Sequence, residues 1–64
     1  MALAQITSTL AVNAHRVLDI TVNTDNDVVI TLHYDGGTKT VTAANTSVLE
    51  VAKKVNAQVY TARR

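Results

Sequence analysis

SVLEVAKKVNAQVYTA, residues 47–62, decides the fold. Val48, Val51, Ala52, Val55 and Val59 recur at i, i+3, i+4, i+7 and i+11, a single apolar stripe at the 3.6-residue period of an α-helix. Ser47 with Glu50 three residues on is a capping box, which satisfies backbone N–H groups that have no intrahelical partner at a helix start. Arg63 and Arg64 follow at the negative pole of the helix dipole. The segment is therefore read as one amphipathic helix over 47–62. A strip of valines needs an apolar surface to lie against, and the chain before residue 47 reads as the β-sheet that supplies it.

Working outward, residues 15–43 carry the strand signals. His15 to Val22 alternates, with Arg16, Leu18, Ile20 and Val22 on one face and His15, Val17, Asp19 and Thr21 on the other. Val28 to Tyr34 alternates likewise, with Val28, Ile30, Leu32 and Tyr34 on one face. Between them Asn23-Thr24-Asp25-Asn26-Asp27 is a run of turn formers. If Asn23 opposes Asp27, the loop is Thr24-Asp25-Asn26, with Asn26 at the left-handed position of a three-residue hairpin. That register sets Val22 against Val28, Ile20 against Ile30 and Leu18 against Leu32, and a one-residue slip would oppose apolar to polar sets. Asp35-Gly36-Gly37 closes the next hairpin. Either Asp35-Gly36 or Gly36-Gly37 serves as a two-residue type I′ turn, and both place Val41 and Ala43 on the face of Ile30 and Leu32. Thr38, Thr40 and Thr42 then line the other face beside Thr31 and His33.

Residues 1–14 are the most ambiguous part, an N-terminal strand or arm. Ile6, Leu10 and Val12 share a face at period two, and Thr7-Ser8-Thr9 favours strand over helix. Leu3, Ile6 and Leu10 would also suit a short helix. A strand ending in a bend at Asn13-Ala14 is the expectation.

The expected fold is one α+β domain over 1–64: an antiparallel β-meander of three or four strands, followed by a C-terminal helix packed on one sheet face. Its expected core is Leu18, Ile20, Val22, Ile30, Leu32 and Val41 from the sheet, with Val48, Val51, Val55 and Val59 from the helix.

Composition narrows the function classes. A chain of 64 residues buries only about 60% of the surface its unfolded form exposes, so a lone monomer is marginal. Small scaffolds compensate with disulfides, metals or oligomerisation. The absence of cysteine removes disulfides, thiolate zinc sites and thiol catalysis together. With 47% hydrophobic and 17% charged residues, the chain carries less charge than an average soluble domain, which suits a surface covered by a partner. A formal charge of +1 and a pI near 8.2 fall short of the concentrated basic face of a polyanion binder, whose domain pI exceeds roughly 9. No apolar run approaches the ~20 residues that span a bilayer. The N-terminus lacks a basic n-region and an unbroken apolar core, so neither a signal peptide nor a membrane partner is expected. The expected location is intracellular, with a virion as a variant. Asn45-Thr46-Ser47 matches a glycosylation sequon and is read as the helix entry.

Candidate chemistry is sparse. The alternation places His15 and His33 on one sheet face with His15 near Asp35, and a His–Asp pair suggests a general base or a metal ligand. No cysteine, no well-placed serine and no third ligand completes such a set, so both are read as ordinary strand residues. Asn23, Asp25 and Asp27 resemble the first ligands of a calcium loop. The position that needs glycine is Val28, and the position that needs a bidentate Glu is Tyr34. Gly36-Gly37 lacks the lysine and following helix of a phosphate cradle. No catalytic residue, metal or cofactor is expected. One binding patch remains: Lys53, Ala57, Tyr60 and Arg64 line the helix side away from the valines, flanked by Lys54 and Arg63. Such cations neutralise phosphates and a tyrosine stacks on a base, although two tyrosines are too few for a stacking platform.

The leading expectation is a non-enzymatic structural or assembly protein. It would act as a homo-oligomer or as a small accessory subunit of a larger particle, a capsid-associated virion protein being the concrete version. The alternative is a single-stranded nucleic-acid-binding module that uses Lys53, Lys54, Tyr60, Arg63 and Arg64 with the sheet. A third reading is a small adaptor that binds one protein through an exposed strand edge.

Overall fold

The structure, a computed structural model, describes residues 2–62, with side chains through residue 59. The chain forms strands β1 (Leu3–Thr7) and β2 (Leu10–Asn13), a 3-10 turn (Ala14–Arg16), strands β3 (Val17–Val22), β4 (Val28–Tyr34) and β5 (Gly37–Ala43), and helix α1 (Val48–Ala62). Strands β3-β4-β5 make an antiparallel meander, and β1-β2 make a separate two-stranded sheet. The architecture is α+β with a meander and a C-terminal helix, as the alternation and the helical stripe require.

The β3–β4 hairpin has the expected loop. Asn23 N–H donates to the Asp27 carbonyl at 3.0 Å, Asn26 N–H donates to the Asn23 carbonyl at 3.0 Å, and Asn26 takes φ 65. Asparagine tolerates that left-handed conformation because its short polar side chain compensates the Cβ clash. The Asn23 Oδ1 accepts from the N–H groups of Asp25 and Asp27, both at 3.0 Å, so it organises the whole turn. Val22 pairs with Val28 and Ile20 with Ile30, as the alternation implies.

Beyond Asp19 the register departs from expectation. Val17, not Leu18, pairs with Leu32, and a β-bulge lies between Val17 and Asp19. The extra residue in β3 moves Val17 to the core side and leaves Leu18 outside the ladder. It also frees Arg16 to lie over the Tyr34 ring, 5.5 Å from its centroid, while its Nη1 donates to the His33 carbonyl at 3.3 Å.

The β4–β5 pairing brings Ile30 to Val41, Val28 to Ala43 and Thr31 to Thr40. Tyr34 pairs with Gly37, so the turn is Asp35-Gly36. Gly36 has φ 94 and Asp35 is not among the residues of positive φ. That negative-then-positive pattern belongs to a type II turn rather than the expected I′, which needs both central residues positive.

Residues 2–12 are not one strand. Thr7-Ser8-Thr9 reverses the chain: Thr9 N–H donates to the Thr7 Oγ1 at 3.3 Å, and Gln5 Nε2 donates to the carbonyls of Thr7 and Leu10. Hydroxyl side chains that bond nearby backbone favour such turns over a continuing strand. At the open end of this hairpin Ala14 N–H donates to the Ala2 carbonyl at 2.7 Å. Asn13 caps the 3-10 turn, its Oδ1 accepting from His15 N–H at 3.0 Å.

Helix α1 begins with the N-cap half of the expected box, Glu50 N–H donating to Ser47 Oγ at 3.2 Å. Ser47→Ala is expected to cost about 1 kcal/mol, the usual worth of an N-cap, read as a lower urea midpoint with an unchanged slope. The helix packs on β1, β3 and the 3-10 turn. Its Val51 and Val55 are buried with Val28, Ile30, Leu32 and Ala43 of the meander, and with Ala2, Ala4, Ile6, Val12 and Ala14 from the N-terminal segment. The N-terminal hairpin is therefore a wall of the core and not an arm.

Candidate functional site

The meander has two open edges, and the hydrogen-bond pattern fixes what each displays. Antiparallel pairs alternate between hydrogen-bonded and non-hydrogen-bonded, so each residue's N–H and C=O point to the same side of the strand and successive residues point to opposite sides. The Asn23–Asp27 bond makes Thr21–Val29 and Asp19–Thr31 the bonded pairs of β3 with β4. Ile20 and Val22 therefore turn their backbone groups outward, to the free side of β3. The same alternation sends Val28, Ile30 and Leu32 toward β5, where they meet Ala43, Val41 and Lys39. On β5 the outward residues are Thr38, Thr40 and Thr42.

The side chains at the two edges differ. Along β3, Leu18 is 58% exposed and Val22 48% exposed, with half-buried Ile20 between them. Along β5 the exposed row is threonine, and Lys39 is also exposed. Leu18 and Val22 are thus a correction to the expected core: the helix sits against β3 without covering either of them. Of the remaining expected core residues, Ile30, Leu32, Val51 and Val55 are buried, and Ile20, Val41, Val48 and Val59 are partly buried against the core. The local sequence does not mark this bulge: the adjacent apolar pair Val17-Leu18 is no more irregular than Val28-Val29 of β4, which pairs with β5 without a shift.

Of the expected basic patch, the described side chains are those of Lys53, Lys54 and Ala57. Lys53 is exposed. Lys54 Nζ donates to the Ile6 carbonyl at 2.9 Å, tying the helix to β1. Arg63, Arg64 and the Tyr60 side chain lie outside the described residues. Lys54→Met, which keeps the aliphatic stem, is expected to cost about 0.5–1.5 kcal/mol in a urea melt, the net worth of one intramolecular hydrogen bond.

The histidines fare differently from the sequence reading. His33 faces outward on β4, but His15 lies in the 3-10 turn, off the sheet, so the two do not share a strand face. Asp25 and Asp27 line an open depression with Asn45, Ser47 and Glu50 at the helix start. No group of three His, Cys, Asp or Glu among the described residues is placed to hold a metal ion. No helix among them is long and apolar enough to cross a membrane.

The fold and this site define a small α+β protein whose meander is open on both sides, one edge apolar and the other lined by threonine. Compared with known proteins, the chain matches no family, no curated protein and no solved structure.

Proposed function

We propose that the protein is a non-enzymatic structural module that works by associating with copies of itself, alone or as a small subunit of a larger particle such as a virion shell. The observation that supports it is the β3 edge, where outward backbone groups coincide with exposed Leu18 and Val22. Natural sheets guard such edges with charges, proline or a covering element, because an unpaired apolar strand recruits another strand. Here the edge strand carries one charge, Asp19, and the chain has no proline. A core of this size also gains from burial against a second copy, since association stabilises the folded state by mass action.

The test is the mass in solution by sedimentation across a hundredfold range of concentration, with and without single-stranded DNA. The expected result is a discrete assembly without nucleic acid that persists at moderate salt. A stable monomer at every concentration contradicts the reading. A complex formed only with DNA, and lost steeply as salt rises, supports nucleic-acid binding in its place.

A further inference from the structure

We infer that β3 is the strand at which a second copy of this chain adds, antiparallel and about a two-fold axis through Ile20, joining two meanders into one continuous six-stranded sheet. This rests on the proposal of self-association and names its surface.

Parity limits the choices. Strands added edge to edge form bonded pairs between outward residues, and directly paired residues put their side chains on the same sheet face. On β3 the outward Ile20 and Val22 pair with Ile30 and Val28, so their side chains lie on the core face. On β5 the outward Thr38, Thr40 and Thr42 pair with His33, Thr31 and Val29, on the opposite face. An antiparallel β3-to-β5 junction would therefore set Ile20 and Val22 against threonines and turn the core faces of successive copies to opposite sides. A β3-to-β3 junction sets apolar against apolar and keeps both helices on one side.

The register follows from charge and length. With Ile20 on the axis, Leu18 faces Val22 of the second copy, Val22 faces its Leu18, and Asp19 faces its Thr21. Sliding so that Leu18 faces Ile20 would oppose Asp19 to its own counterpart, like charges directly across the ladder. Sliding the other way, Ile20 to Val22, would leave Leu18 facing Thr24 in the loop. Only the central register covers both half-exposed side chains in each copy. Because both copies use the same edge about a two-fold axis, the contact is isologous and closes on itself as a dimer.

Because the chain has no cysteine, the register can be read by directed cross-linking. Asp19 and Thr21 are both exposed, and in this register they form a non-hydrogen-bonded pair between copies, with Cα atoms about 4.5 Å apart and within disulfide reach. An equimolar mixture of Asp19→Cys and Thr21→Cys chains, mildly oxidised, is expected to give at least tenfold more linked dimer than either chain alone. In parallel, Leu18→Lys/Val22→Lys places lysine opposite lysine and is expected to weaken self-association at least tenfold by sedimentation. Leu18→Glu/Val22→Lys should restore it at low salt, and Thr40→Lys on β5 should leave it unchanged. If wild-type protein associates but the mixed cysteines show no excess, or the double lysine variant associates as tightly as wild type, the β3 assignment is overturned while self-association stands. If wild-type protein is a monomer throughout, self-association itself fails.

Discussion

Ile30→Ala is expected to remove about 2–5 kcal/mol of stability, the range for deleting a large buried aliphatic side chain from a packed core. Ile30 is fully buried at the centre of the meander, between Ile20 on β3 and Val41 on β5, and shares the core with Val51 and Val55 of the helix. A cavity there has no solvent-facing side from which the structure can relax. A single core in a chain below about 70 residues rarely supplies more than 3–5 kcal/mol, so this one change approaches the whole margin. The expected readout is loss of a cooperative urea transition in circular dichroism at room temperature. Leu18→Ala, at an exposed position, should stay within about 0.5 kcal/mol when the protein is dilute. A loss below 1 kcal/mol for Ile30→Ala would mean that the meander face is not packed as described.

Ile6→Ala is expected to have a comparable effect, about 2–5 kcal/mol. Ile6 is as buried as Val28 of the meander, and it belongs to the N-terminal hairpin. Its carbonyl also receives the Lys54 Nζ, so β1 is held to the helix by both a buried side chain and a hydrogen bond. If the hairpin were an arm lying on a self-sufficient meander-and-helix core, the same change would lower stability by only a fraction of a kcal/mol. Urea melts of the two alanine variants therefore decide whether residues 2–13 are a wall of the core or an appendage.

The first hairpin of the meander and the helix were legible in the sequence because independent signals agreed there, whereas at Asp35-Gly36-Gly37 the face pattern left the turn open between two positions. At Asn23–Asp27 the turn chemistry and the facing apolar sets select one register, and Ser47 with Glu50 marks the helix start that the valine stripe requires. The N-terminal segment was not legible for a physical reason. Thr7 and Thr9 are good strand residues by propensity, yet the Thr7 hydroxyl accepts the Thr9 N–H in a local backbone bond that turns the chain. Alanine carries little periodic signal, and Ala2, Ala4 and Ala14 are core residues only because the two sheets and the helix converge on them. At the candidate site, strict alternation extended back to Arg16 conceals the bulge. Once Val17 takes the place opposite Leu32, Leu18 is displaced from the core and the apolar character of β3 becomes surface.

Amide hydrogen exchange of Ile20 tests the central claim most directly, because this N–H faces away from β4 and no strand among the described residues lies on its own side. The expected result is slow exchange at concentrations where the protein is assembled, fast exchange on dilution, and fast exchange of Thr40 on the β5 edge at both. An Ile20 amide that exchanges fast in the assembled protein, with Thr40 protected instead, would contradict it.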